Sequence, residues 1–216
     1  MTRGGAGSNP RGHSLLALVA VMDRLRSPGG CPWDAEQTHE SLAPYAVEEA
    51  FELAEAIESG HRDDLADELG DVLLQVVFHA RIAQEDPDEP FDIDDVARRI
   101  VAKLRRRHPH VFADVQVASA AHVEANWETI KAAEKPERTR PLDGVPAGMP
   151  PLERAAKVAS RLRRAGREKE VRNALLELPD DPGSSLLRAV LQSALDGGDP
   201  AGQLRHALKD LEGRFA

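Results

Sequence analysis

Among 216 residues there is a single cysteine, Cys31. One thiol excludes an intramolecular disulfide and a multi-cysteine zinc site, and it fits a reducing compartment. Aromatic side chains are nearly as scarce: five Phe, two Trp and one Tyr, 4% of the chain, so Leu, Val, Ala and Ile must build most of any core. No apolar run approaches the roughly 20 residues that span a bilayer. The eight apolar residues Leu15–Met22 have the length of a signal-peptide core, but Asp23, Arg24 and Arg26 follow at once with no small-residue cleavage site. The stretch reads instead as a helix face of Leu15, Leu18, Val19, Met22 and Leu25 with Ser14 as N-cap, in a cytoplasmic protein. Several enzyme signatures are missing too: no Walker loop, no dinucleotide Gly motif, no His-Glu-x-x-His and no adjacent His-Asp. Strand signals are almost absent, which predicts an all-α bundle.

Charge is plentiful and segregated. The net charge is -9, yet Asp34–Asp95 alone carries twenty acids against two bases, Arg62 and Arg81. Arg98, Arg99, Lys103, Arg105, Arg106 and Arg107 then fall within ten residues, and Glu153–Arg172 carries eight bases against three acids. Such runs commonly form solvated helix faces. Nucleic-acid binding has no support, because no aromatics are interleaved with the bases to stack on. An acidic half followed by a basic cluster suggests another division of labour: carboxylates hold divalent cations, and cations with arginines hold a polyphosphate.

The first thirteen residues, rich in Gly, Arg and Pro, predict a disordered start. Residues 14–135 read as one helical domain. Within it a helix begins near Pro44 and stops at Gly60, with Val47, Ala50, Ala54 and Ile57 as its apolar side. Another runs from about Asp63 to Gln84 on Leu65, Leu69, Val72, Leu73, Val76 and Ala80. Asp92 and Ser119 cap two more helices, the first closed by His108-Pro109. Residues 136–151 hold five of the fifteen prolines and read as a linker or a wrapped extended segment, followed by a helical C-terminal segment, 152–216. Val171–Leu176 and Gly183–Leu187 align loosely with Val47–Glu52 and Gly70–Leu74, either as an eroded second unit or as the ordinary likeness of two Leu/Ala-rich helices. In that alignment Glu48, Glu49, Glu52 and Asp71 become Arg172, Asn173, Leu176 and Ser184.

The chemistry concentrates in Glu48-Glu49-x-x-Glu52 followed by Glu68-x-x-Asp71. Carboxylates three or four apart share one helix face, and two such helices packed antiparallel gather four or five of them. Hard divalent cations take such oxygen ligands, and Mg²⁺ typically keeps waters and substrate phosphates besides. The other reading is a wet acidic face, since the three glutamates lie opposite the Val47/Ala50/Ala54 stripe; Glu68 and Asp71 instead flank their apolar stripe. Glu36-x-x-His39 and Glu58-x-x-His61 offer a further metal reading of the di-iron bundle type, weakened by Gly60 and by the loop-like setting of the first pair.

Five segments in order then resemble one family: Cys31-Pro32-Trp33-Asp34-x-x-Gln37-Thr38-His39, Pro44-Tyr45-x-x-Glu48-Glu49-x-x-Glu52, Glu68-Leu69-Gly70-Asp71, Arg106-Arg107-His108-Pro109-His110-Val111-Phe112 and Trp127-Glu128-x-Ile130-Lys131. Together, from about Leu15 to Gly166, they are similar to the MazG family of nucleoside triphosphate pyrophosphohydrolases. The resemblance implies an all-α, usually dimeric enzyme that uses Mg²⁺, with Mn²⁺ as an alternative, to split a nucleoside triphosphate into monophosphate and pyrophosphate, with neither nucleic acid nor membrane as partner. It implies that Glu49, Glu52, Glu68 and Asp71 ligate the metal. Glu48 and Glu49 would be catalytic, Glu48 orienting water or a second cation. Lys103, Arg106 and Arg107 would hold phosphates, and Trp127, Lys131 and Trp33 would lie by the nucleotide. Two departures stand out. Leu65 occupies a position where family members often carry Lys, and the C-terminal segment lacks acids where a second complete unit would have them. Both leave room for a nucleotide-binding regulatory protein without turnover.

Overall fold

The computed structural model describes residues 11–215, and every regular element among them is a helix. Two compact units divide the chain, residues 1–117 and 118–216. Residues 1–10 of the expected disordered start lie outside those described.

The first unit contains α1 (His13–Arg26), α2 (Pro32–Glu36), α3 (His39–Ser59), α4 (Arg62–Ala83), α5 (Ile93–Arg107) and α6 (Pro109–Phe112). Helix α1 starts one residue before the expected Ser14 cap, because Gly12 adopts a left-handed conformation (φ 89°) and its carbonyl takes the Leu16 N–H. At its far end the chain turns sharply: the Cys31 N–H reaches back to the Leu25 carbonyl, and a side chain at Gly30 would collide with that carbonyl at 2.2 Å. The turn delivers Pro32 to the first position of α2, where its missing N–H costs nothing.

The start of α3 differs from expectation. The helix begins at His39, five residues before Pro44, because Thr38 and Ser41 form a reciprocal capping box. That box satisfies two orphan donors at once, and it outweighs the one backbone bond that Pro44 forfeits further in. The helix ends at left-handed Gly60 (φ 74°), and α4 returns antiparallel from Arg62. Helix α5 carries an Asp92/Asp95 capping box at its acidic end and Arg105–Arg107 in its last turn, complementing the helix dipole at both termini.

The core of this unit sits where α1 crosses the α3–α4 hairpin: Met22, Leu42, Val77 and Phe78 are buried, with Leu18, Val19, Leu25, Leu74, Ile82 and Ile93 packed around them. Arg26 locks this end. Buried at the end of α1, it donates to the Asp34 and Gln37 carbonyls and forms a fork with both oxygens of Glu85 at 3.1 and 2.7 Å, lying over the Phe78 ring.

The second unit holds α7 (Ala120–Ala133), α8 (Pro151–Arg164), α9 (Glu168–Leu176), α10 (Pro182–Leu195) and α11 (Pro200–Glu212). Helix α7, capped by Ser119 as expected, clusters with the C-terminal helices in this unit. Its core is aromatic-free: Ala159, Leu175, Leu191, Ala194 and Leu195, with Val171 and Leu178 against them. The two segments that align with the acidic helices fall in α9 and α10, but α9 has nine residues against twenty-one in α3, and α10 packs mainly on α8.

Replacing Arg26 by Ala strands two carbonyls and leaves Glu85 paired with Arg81 alone, and should cost on the order of 2 kcal/mol at neutral pH in denaturant unfolding. The Arg26 guanidinium bonded to Glu85 holds that carboxyl below its ordinary value, chiefly by the hydrogen bond and then by charge. The group therefore contributes fully above the unfolded carboxyl value of about 4.3 and loses its contribution as pH falls through the lower folded value. The stability gap between wild type and Arg26→Ala should accordingly narrow below about pH 4. A gap that stays constant from pH 7 to pH 3 would refute the role given to this pair.

Candidate active site

The hairpin turns its acids in a direction the periodicity does not reveal. Along α3 Leu42, Ala46, Glu49, Leu53 and Ala56 are withdrawn from solvent in a four-three repeat that marks the inward seam, with Ala54 half-buried beside it. Val47 and Ile57, expected on the apolar inner side, are instead 54% and 60% exposed. Glu49 thus lies on the inner face, while Glu48 and Glu52 lie outside it on exposed flanks. On α4 the half-buried or buried positions Leu65, Glu68, Val72, Gln75 and His79 run along one line, with Leu69, Leu73 and Val76 left outside. Both acidic helices therefore carry a glutamate at a position usually held by an aliphatic residue.

Gly60 places the bend so that these positions meet. Glu49, Glu68 and Asp71 each offer a carboxylate oxygen, all within 4.8 Å of one another. Partial burial raises the Glu49 carboxyl above its ordinary value, and the charges of Asp71, Glu52, Glu68 and Glu48 push it further. Glu68 is raised in the same way, by desolvation first and then by Glu52, Asp71, Asp67 and Asp64. One Glu68 oxygen, Oε2, is sealed from solvent with no hydrogen-bond partner. Unpartnered buried carboxylate oxygens are costly, and like charges at this spacing destabilise each other. A divalent cation removes both penalties, and an all-oxygen donor set of three carboxylates with open approach suits a hard ion. The residues fit such an ion.

The other expected site residues are distributed as follows. Trp33 on α2 is 52% exposed and meets Tyr45 edge-on, ring centres 6.4 Å apart. Tyr45 stands one helical turn before Glu49, so this aromatic pair borders the acidic face. Tyr45 belongs to the Pro44–Glu52 motif but carried no expected role; its four-residue spacing from Glu49 is the signal that marks it. Lys103, Arg106 and Arg107 lie along α5 of the same unit. Trp127 and Lys131 belong to α7 of the second unit, the Lys131 ammonium 5.7 Å from the Trp127 ring centre.

The His motifs separate. His61 faces Asp64 at 3.3 Å, whereas His39 stacks on His79 with the rings 6° from parallel and their Nδ1 atoms 2.8 Å apart. Among the described residues none of these histidines belongs to a group of three or more metal-ligating side chains, so the di-iron reading finds no assembled site there. A crevice of about 290 Å³ between α1 and α4 is lined by Leu16, Asp23, Val77 and Arg81 and touches none of the carboxylates.

Fold and acid cluster together define an all-α protein with three carboxylates gathered on a helical hairpin in a way that could hold a hard cation. Residues 37–112 match the MazG nucleotide pyrophosphohydrolase domain, a span that holds all five acids and the basic stretch of α5. Over 216 residues the chain is 40% identical to the nucleoside triphosphate pyrophosphohydrolase/pyrophosphatase MazG of Thermotoga maritima, covering 92% of this chain and 82% of that one. It is 53% identical over 200 residues to an uncharacterized 26.1 kDa protein of Streptomyces cacaoi, covering 91% of this chain and 78% of the relative. A nucleoside triphosphate pyrophosphohydrolase of Mycolicibacterium smegmatis is 49% identical over 157 residues, 72% of this chain, which spans about half (48%) of that longer protein. The chain belongs to the MazG family.

The repulsion can be read directly from stability. Without divalent ions, Glu68→Gln should raise the melting temperature, because it removes a charge and supplies a donor. Adding Mg²⁺ should stabilise the wild type in a concentration-dependent way and leave Glu68→Gln nearly unmoved. Equal Mg²⁺ shifts for both proteins, read by differential scanning fluorimetry, would rule out the carboxylate cluster as the cation site.

Proposed function

We propose that the protein hydrolyses ribo- and deoxyribonucleoside triphosphates to nucleoside monophosphate and pyrophosphate, with Mg²⁺ as cofactor and Mn²⁺ as a substitute, and that it clears unwanted nucleotides from the pool. The observation that carries this reading is the convergence of the Glu49, Glu68 and Asp71 carboxylates, with one Glu68 oxygen sealed and partnerless, in a chain of this family. In this reading the protein works in the cytoplasm, where nucleoside triphosphates are its substrates.

In this reading Glu49, Glu52, Glu68 and Asp71 hold the ion. When bound, Mg²⁺ would neutralise the triphosphate and lower the pKa of a coordinated water. Glu48, exposed beside the cluster, orients the attacking water in line and takes its proton. The water oxygen bonds to phosphorus as the bridging oxygen between the α- and β-phosphates breaks away. Lys103, Arg106 and Arg107 hold the phosphates and stabilise the charge that gathers on departing pyrophosphate. Trp33, with Tyr45 at its edge, offers a half-exposed ring to the base.

A homodimer is part of the proposal. Val47, Phe51, Ile57, Leu69, Leu73 and Val76 leave the α3–α4 hairpin with an exposed apolar face of a kind that monomers rarely keep. A second reading, nucleotide binding without turnover, is favoured by Leu65, which puts an aliphatic side chain one turn before Glu68 where a phosphate contact is expected.

Two experiments decide. Pyrophosphate and monophosphate should appear together from a panel of triphosphates with Mg²⁺ and vanish with EDTA, and Glu49→Gln should cut the rate at least about 100-fold at unchanged helicity. A folded wild type that binds nucleotide but releases nothing establishes the second reading instead. For assembly, the pair Phe51→Glu and Val76→Glu should shift the mass in light scattering from two chains to one; a monomeric wild type would remove the dimer.

A further inference from the structure

The second unit contains an unbalanced set of cations around a concavity. A cavity of about 280 Å³ is lined by Lys131, Lys135, Arg138, Arg140 and Arg161, together with Thr139 and a single acid, Glu128. That acid is already engaged: Glu128 meets the Arg164 guanidinium at 3.1 Å and the Lys131 ammonium at 3.5 Å. Arg140 pairs with Asp143 at 3.1 Å. Lys135, Arg138 and Arg161 form no ion pair among the described residues. Arg161 is half-buried, and its Nε–H is sealed from solvent with no acceptor. A partly desolvated guanidinium without a counter-charge is unfavourable unless an anion visits it.

The backbone is shaped for this arrangement. The Pro-rich stretch wraps between α7 and α8 as a series of turns rather than a slack linker: the Arg138 N–H bonds to the Lys135 carbonyl, the Arg140 N–H to the Asp143 carboxylate, and the Asp143 N–H back to the Arg140 carbonyl. Gly144 follows in the left-handed region, φ 75°, and a Cβ there would stand 2.3 Å from the Arg138 guanidinium carbon. The left-handed φ favours glycine there, and a side chain at that position would push the Arg138 guanidinium aside. The turns thus present Arg138 and Arg140 on one wall of the cavity, while Arg161 on α8 and Lys131 and Lys135 at the end of α7 form the rest.

We propose that this cavity is an oligophosphate-binding site that works without a divalent ion. Planar guanidinium forks match phosphate oxygens in pairs, and three of them with two lysines suit an anion of several negative charges. The volume lies just below the roughly 300–1,000 Å³ of ordinary ligand pockets, which favours an inorganic oligophosphate over a whole nucleotide. Pyrophosphate has the right size and charge. The inference does not require the hydrolytic reading, because the carboxylate cluster repels a metal-free polyanion and this cavity attracts one.

The test is isothermal titration of the full chain with sodium pyrophosphate in EDTA. Saturable binding near one per chain is expected. Arg161→Gln and Arg138→Gln should each weaken it at least about tenfold, whereas Lys169→Gln, which removes one positive charge from α9, should change it less than twofold. Arg138, itself half-buried, lies on a turn outside the helices between exposed Glu137 and Thr139, so its variant reports even if Arg161→Gln is poorly folded. Binding absent in EDTA, or weakened equally by Lys169→Gln, would overturn the site whatever the outcome of the turnover assay. Saturable binding that survives Arg138→Gln undiminished would overturn it too.

Discussion

Two glutamates on the inner seam of a helical hairpin set the terms for the first unit. Glu49 and Glu68 occupy positions where leucines would have closed α3 on α4, and Asp71 joins them one turn on. The hairpin gives up apolar burial there and accepts repulsion in exchange for a cluster of oxygens aimed at one point. Such an arrangement persists only if the rest of the unit holds the helices at their spacing. The holding comes from the other end. Met22 and Leu42 bury completely beside Val77 and Phe78, and the Arg26 fork fastens α1 to the end of α4 and to the turn after α2.

Stability and function are therefore separated along one hairpin. The end near α1 is tightly packed and charge-paired: Arg81, one of only two bases in the acidic stretch, is used there, bridging Asp23 and Glu85 at 2.8 Å each. The end near Gly60 is open and acidic. Between them the seam stays polar, with Gln75 buried and its Oε1 lacking a partner, and His79 stacked on His39. Desolvation, and then the neighbouring imidazole, hold His79 below its ordinary value. The seam cannot neutralise its carboxylates from within, which is why a mobile cation is the natural counter-charge.

Much of this was legible in the residues. The acids, their spacing, the Asp92 and Ser119 caps and the all-α class follow from short-range rules that depend on a few neighbours. The orientation of α3 did not, because two apolar lines run along it. Val47, Ala50, Ala54 and Ile57 make one; Leu42, Ala46, Leu53 and Ala56 make another. Periodicity measures apolarity and is blind to which line meets a partner, so an acid on the inner line reads as a solvent residue. The helix start was obscured in the same way: Pro44 is a strong local signal, yet the Thr38–Ser41 box needs only two hydrogen bonds to begin the helix earlier. The aromatic edge at Trp33 and Tyr45 was hidden by separation in sequence, since it forms only when the fold brings Trp33 to Tyr45 across the turn before α3.

Charge segregation along the chain takes a sharper meaning in three dimensions. A stretch of like charge on a solvated helix costs little, because water and salt screen each side chain separately. The cost rises only where folding withdraws charged atoms from solvent, and among the described residues each unit leaves one such charged-group atom without a hydrogen-bond partner: Glu68 Oε2 in the first and Arg161 Nε in the second. These two atoms are of opposite sign and neither is balanced within its own unit. A sequence selected for stability alone would have paired each of them or replaced it with an aliphatic side chain, which is often the more stable choice. Their retention is best understood as preorganisation, in which the protein bears the cost of confining charge during folding so that a small ion of opposite sign finds its ligands already in position.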